Sequence, residues 1–189
     1  TVTVSAGFTD VGTLDTHSGT INWGDGTSTA GSVNQATGTV SGSHAYVMGG
    51  VFTINITLTD DDTGSINATT TTVISGVGVI DGTLFVIGTD ADDHVTINKQ
   101  GNNKFKVHAD FLPDPGGHRT LNAAGIELMH VILCDGNDHA SIAGNIDVPT
   151  IIEGGDGDDH LNGGGGSNVW LGGDGDDHPH GGGPGDRRI

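Results

Sequence analysis

Gly154-Gly-Asp-Gly-Asp-Asp-His-Leu-Asn162 runs directly into Gly163-Gly-Gly-Gly-Ser-Asn-Val-Trp-Leu171, then Gly172-Gly-Asp-Gly-Asp-Asp-His-Pro-His180 and Gly181-Gly-Gly-Pro-Gly-Asp-Arg-Arg-Ile189. These are four nine-residue units in tandem. Glycine recurs at the first, second and fourth places, an acid or its amide at the sixth, and a large apolar residue at the eighth. The third unit has Pro179 at the eighth place, and the fourth has Pro184 at the fourth and Arg188 at the eighth. Glycines so placed let the backbone adopt positive φ and turn its carbonyls inward. The sixth-place carboxylate adds a charged oxygen, and calcium takes about six to eight oxygen ligands. The apolar eighth place starts a short strand pointing inward.

This pattern resembles the RTX, or haemolysin-type, calcium-binding nonapeptide. The resemblance implies a parallel β-roll in which two units make one turn, so residues 18 apart stack. Asp159 and Asp177 then face one row of ions, joined by Asp156, Asp158, Asp174 and Asp176 and by the backbone of Gly155, Gly157, Gly173 and Gly175. Asn168 and Asp186 face a second row, expected to be weaker because Asn168 carries no charge. The competing reading is a flexible Gly/Asp linker. A strict Gly-Gly-Asp-Gly-Asp-Asp-His register speaks against that when calcium is present. Without the ion, carboxylate repulsion and glycine entropy predict disorder.

Fainter copies lie upstream. Asp90-Ala-Asp-Asp-His94 and Asp135-Gly-Asn-Asp-His139 share the D-x-x-D-H pattern of Asp156–His160 and Asp174–His178, each behind an apolar run. First-Asp spacings are 45, 21 and 18 residues. With 18 as the plain turn, the 21 holds a three-residue expansion and the 45 a hairpin-sized insertion within residues 98–122. Asp90, Asp93, Asp135 and Asp138 thereby become further candidate metal ligands, and His94, His139, His160 and His178 should stack at equivalent corners. Residues 84–153 then form an irregular β-solenoid that becomes regular over 154–189. A separate small β domain over 84–150 is the alternative. Within this stretch Val95–Ile97 and Lys104–Val107 suggest a hairpin around Gly101-Asn102-Asn103, and Pro113–Gly117 a loop. Cys134 reads as a small buried hydrophobe on a strand.

Residues 1–75 have a different texture: short alternating strands such as Val51–Leu58, punctuated by Gly24-Asp25-Gly26 and Asp61-Asp62-Thr63-Gly64. Ile21-Asn-Trp-Gly-Asp-Gly-Thr27, His44-Ala-Tyr46 and Gly50-Val-Phe-Thr-Ile54 leading to Asp60-Asp61-Asp62 are similar in order and spacing to a PKD domain. That resemblance implies an Ig-like antiparallel sandwich with Trp23 as core anchor. It also implies a missing first strand, and so an open edge that a neighbouring copy completes by strand addition. Residues 76–83 read as a short junction. The fold expected overall is all-β, an Ig-like sandwich followed by a β-roll.

Charge narrows the function. Of 189 residues 24 are Asp or Glu and only 6 Lys or Arg, for a net charge of −18. Such a surface repels phosphate backbones and anionic membranes and attracts divalent cations. No apolar run approaches the roughly 18 residues of a membrane-spanning helix. A single cysteine leaves no intrachain disulfide. A start at Thr1 without a signal peptide suggests a processed product or a piece of a longer chain. No H-E-x-x-H, G-x-S-x-G or other catalytic arrangement is found, so no catalytic or cofactor-binding residues are assigned beyond the calcium ligands. The expectation is a non-catalytic, secreted or surface-located module rigidified by several calcium ions: a spacer, an adhesin or a filament subunit. The alternative is an accessory region of a larger secreted enzyme, such as a protease or polysaccharide-active protein.

Overall fold

A computed structural model describes residues 1–10, 15–101, 103–113, 116–181 and 183–189. The protein is all-β, with one antiparallel sheet and two sheets rich in parallel pairs. Abundant glycine and β-branched residues leave little else available. Two compact units form: Thr1–Val47 with Val51–Ile74, and Met48–Gly50 with Ser75–Ile189. No helix among the described residues is long and apolar enough to cross a membrane.

The first unit contains β1 (Val2–Gly7), β2 (His17–Asn22), β3 (Ser28–Asn34), β4 (Thr39–His44), β5 (Gly50–Asp60) and β6 (Ser65–Ile74), in the sheet order β1-β4-β3-β2-β5-β6. Strand β3 changes partner along its length. Ser28–Gly31 pairs with β2, and Ser32–Asn34 with β4. That handover makes a single sheet sandwich-like, so that Val4 and Val40 share a core with Ile21, Trp23, Ile54, Ile56 and Leu58. Trp23 is fully buried, as the likeness to a PKD domain implied. The turn after it is held by Gly24 and Gly26 at φ 80° and 88° and by the Thr27 amide donating to Asp25 Oδ1 at 3.0 Å. His44 stacks on Trp23 and meets Asp25 Oδ2 at 2.7 Å. The Tyr46 hydroxyl donates to the Trp23 carbonyl at 2.7 Å. Burial pushes the Asp25 carboxyl up, but the hydrogen bonds from Thr27 and His44 outweigh it and hold it below its ordinary value.

Strand β6 is the outer strand beside β5, and its residues 65–71 are exposed. Ile66 keeps 65% of its surface in solvent. A groove of about 650 Å³ opens here, with Ala6, Phe8, Val40, Leu58, Ile66 and Ala68 among its walls.

The second unit is a roll. Strands β8 (Thr83–Ile87), β12 (Leu128–Asp135), β14 (Thr150–Asp156), β16 (Asn168–Asp174) and β18 (Arg187–Arg188) lie parallel in one sheet, with β7 (Gly76–Ile80) antiparallel on β8. Strands β9 (His94–Gln100), β13 (His139–Ile142), β15 (His160–Asn162) and β17 (His178–His180) lie parallel in the other. There β10 (Lys104–Ala109) and β11 (His118–Asn122) add an antiparallel flap to β9. One hydrophobic cluster joins Leu84, Val86, Met129, Val131 and Ile152 of the first sheet to Val95, Ile97, Ala140 and Leu161 of the second.

The register follows the D-x-x-D-H spacing. Ile87 pairs with Ile132, Ile132 with Glu153, and Glu153 with Leu171. The 45-residue turn contains the β10–β11 flap, and the extra three residues of the 21-residue turn lie between β13 and β14. Asn102 of the β9–β10 turn and Asp114-Pro115 of the following loop lie outside the described residues.

Strand β14 runs straight across residue 153, so the roll is continuous there. Two details differ from expectation. Residues 76–83 are not a bare junction: β7 and its turn at Asp81-Gly82 close the sheet at its first strand. Cys134 is half-buried rather than core, and it stands at φ 78°. It pairs in register with Gly155, itself paired with Gly173, and these glycines have φ of 121° and 114°. The repeat has a glycine's backbone at this position, and Cys134 adopts it at a steric cost.

Candidate metal centre

The roll has two corners where polar side chains stack instead of apolar ones. At the first, the strands of one sheet end in Asp135, Asp156 and Asp174, which pair in register and are exposed. The chain then turns into the other sheet through Asp138, Asp159 and Asp177, with Asp93 at the same place in the first turn.

Asp93, Asp138 and Asp159 are 5%, 1% and 0% exposed. They form a ladder along the roll. The Asp93 amide donates to Asp138 Oδ1 at 2.7 Å, the Asp138 amide to Asp159 Oδ1 at 2.8 Å, and the Asp159 amide to Asp177 Oδ1 at 3.1 Å. These bonds join residues 45, 21 and 18 apart, the same three spacings read from the sequence. One oxygen of each carboxylate is thereby used. The other, Oδ2 of both Asp138 and Asp159, is buried with no hydrogen-bond partner.

Burial drives the Asp138 carboxyl up to about 7, against the Asp93 amide bond, with the charges of Asp159, Asp93 and Asp92 adding to the rise. Asp159 is raised for the same reason, with Asp177 and Asp158 adding to it. A buried carboxylate oxygen facing no donor is costly.

Asp93 is different. Its Oδ2 accepts from the Thr89 amide at 2.6 Å and its Oδ1 from the Thr89 hydroxyl at 3.1 Å. The reason is local: β8 stops at Ile87, whereas β12, β14 and β16 continue to Asp135, Asp156 and Asp174. Thr89 is therefore free of the strand ladder that engages Cys134, Gly155 and Gly173.

A second ladder lies on the exposed side of the same corner and points the other way. The Asn137 amide donates to Asp92 Oδ1, the Asp158 amide to Asn137 Oδ1, and the Asp176 amide to Asp158 Oδ1, at 2.8, 2.9 and 2.9 Å. Asp92 and Asn137 are not among the sequence-derived candidates, although the same spacings reach them. Beside the acids, His94, His139, His160 and His178 stack with ring centroids 4.5, 6.3 and 4.9 Å apart.

The glycines are part of the centre. A Cβ on Gly154 would run into Asp159 Oδ2 and the Gly172 carbonyl oxygen, and one on Gly172 into Asp177 Oδ2. Only a bare Cα leaves these oxygens their space. Among the described residues no three His, Cys, Asp or Glu side chains converge as a metal site. The donors available to a cation are thus single carboxylate oxygens with backbone carbonyls. Oxygen donors of this kind are the ligands that calcium takes.

The second corner carries Thr150, Asn168 and Asp186. Thr150 and Asn168 pair in register and are buried, at 1% and 0% exposure. Asn168 is fully hydrogen-bonded. Asp186 accepts from the Asn168 amide at 3.0 Å and from the Gly183 amide at 3.1 Å. Gly182 lies outside the described residues. Beyond this corner Trp170 is buried under the last turn, Pro179 is half-buried, and Arg188 is exposed, so the apolar filling thins toward β18.

A scan against protein-family models finds no match, and searches of curated proteins and of solved structures find none either.

Proposed function

We propose that this chain is a non-catalytic, extracellular structural module whose roll binds calcium along the Asp138–Asp159–Asp177 row and is rigidified by it. The observation that carries the reading is the pair of buried, donor-less carboxylate oxygens on Asp138 and Asp159. A cation offsets that burial, and glycine backbone beside each carboxylate supplies further oxygens. The likeness of residues 154–189 to RTX repeats, and of residues 1–75 to a PKD domain, points the same way. Calcium concentrations outside cells match the affinities of extracellular modules, about 10⁻⁴–10⁻³ M. Spacer, adhesin and filament subunit are the roles such a module serves. The experiment is a calcium titration followed by circular dichroism and calorimetry. The roll should gain β-structure and melting temperature as the ion is added. An unchanged spectrum and melting temperature would refute the reading.

The groove at β6 favours a second element of function: strand addition from a neighbouring copy. Exposed Ile66 beside an apolar cleft is the feature such a strand would cover. Sedimentation at rising protein concentration should reveal association that Ile66→Lys abolishes, and monomers throughout would remove this part of the proposal.

A further inference from the structure

The second corner answers the question that the first leaves open. Asn168 is fully buried, and three oxygens converge on its Nδ2: Gly164 O at 3.1 Å, Gly166 O at 2.9 Å and Asp186 Oδ1 at 3.0 Å. Its own Oδ1 accepts from the Gly164 amide at 3.2 Å. The amide orientation is fixed by chemistry. Turned over, its oxygen would face three acceptors and its NH₂ would face an N–H. A side-chain amide nitrogen has two hydrogens, yet it meets three oxygens here. Two are backbone carbonyls of its own turn and one is a carboxylate from the next. That is the surrounding of a small cation drawn around a neutral donor.

The first corner shares the sequence spacing without the donor, although its glycines Gly155 and Gly157 stand at positive φ, 121° and 130°, and Gly164 and Gly166 do not. Asp159 holds the sixth place of its unit as Asn168 does, and Gly155 and Gly157 stand four and two residues before it, as Gly164 and Gly166 do before Asn168. Asp177 supplies the oxygen from the next turn, accepting from the Asp159 amide as Asp186 does from the Asn168 amide. At Asp159 there is no Nδ2, and an unpartnered Oδ2 remains.

We infer that the Asn168 side-chain amide stands in for the cation of the second corner, so that this corner is closed by the protein itself and binds no ion, while the Asp159 corner binds calcium. The inference rests on the calcium reading of the first corner. It also predicts that one isosteric change, Asn168→Asp, converts the closed corner into a calcium site. The carboxylate would remove the donor from among three oxygens, destabilising the calcium-free roll, and would supply the charge that a cation needs.

Isothermal titration calorimetry and native mass spectrometry of the full chain test this with three proteins. Wild type should bind a defined number of calcium ions, Asn168→Asp one more, and Asp186→Asn the same number as wild type. Asn168→Asp should also melt below wild type in chelator and recover in millimolar calcium. If wild type binds no calcium, the reading of the first corner fails. If wild type binds calcium but Asp186→Asn lowers the count, an ion occupies the second corner and the stand-in role of Asn168 is overturned. Equal counts for wild type and Asn168→Asp overturn it as well. Should Asn168→Asp not fold even in calcium, the Asp186→Asn count alone decides.

Discussion

Asp25 in the first unit and the Asp138–Asp159 pair in the roll are bonded in opposite ways, although the first unit also leaves Asp60 Oδ1 buried without a partner. In the first, Asp25 sits among donors of its own chain: the Thr27 amide and hydroxyl, at 3.0 and 2.6 Å, and His44 at 2.7 Å. Around it Trp23, Ile21 and Ile54 form a buried apolar core. In the roll, Asp138 and Asp159 are buried more deeply and have one donor each. The difference teaches which part of the molecule should depend on an ion. Both units have an apolar core of their own, but in the roll two successive turns each leave a buried carboxylate oxygen without a donor.

The sharpest way to break the comparison is to remove calcium. The roll should lose most of its β-signal, and the first unit should keep its own, with Trp23 fluorescence unchanged in a Trp170→Phe background. Loss of both together would show that the two units do not differ as described. Next in size is Trp23→Ala. It should cost the first unit about 3–5 kcal/mol by leaving a cavity, while calcium binding by the roll stays as in wild type. Calorimetry resolves the two transitions.

Gly154→Ala should destabilise the roll by roughly 1–3 kcal/mol, because its Cβ collides with Asp159 Oδ2 and the Gly172 carbonyl. It should also weaken calcium binding, which a titration would show.

The pH response of Asp25 follows from its lowered pKa. A carboxyl whose folded pKa lies below its unfolded value contributes stability above the unfolded pKa and loses it as pH falls through the folded one. Acid melts of the first unit should therefore steepen below about pH 4, and Asp25→Asn should flatten that slope. The smallest effect is a gain. Cys134→Gly should raise stability by about 1 kcal/mol by relieving a positive φ that the repeat elsewhere gives to glycine. A loss on that substitution would mean that Cys134 packs better than its backbone suggests.

Much of the roll was legible because a solenoid turns a sequence offset into a spatial neighbour. The spacings 45, 21 and 18 fixed which aspartates and histidines stack, and the structure stacks them. The burial of Trp23 and the Gly24-Asp25-Gly26 turn were legible through the likeness of that stretch to a PKD domain. Less accessible were contacts that depend on where a strand ends. Thr89 meets Asp93 only because β8 stops at Ile87, and no repeat position announces that. Asp92 and Asn137 follow the same offsets as the inner ladder, yet they carry no motif of their own. Cys134 lies on a strand as expected, but it is half-buried and at positive φ, which an apolar neighbourhood in sequence does not announce.

The sequence by itself determined the all-β class, the winding of the roll and the residues that meet along it, since periodicity and backbone propensity are local properties of the chain. Only the tertiary structure decided the fate of each buried oxygen. Whether a carboxylate or amide is satisfied depends on donors brought from other turns, which is why Asp159 lacks a partner for Oδ2 and Asn168 has one for every atom.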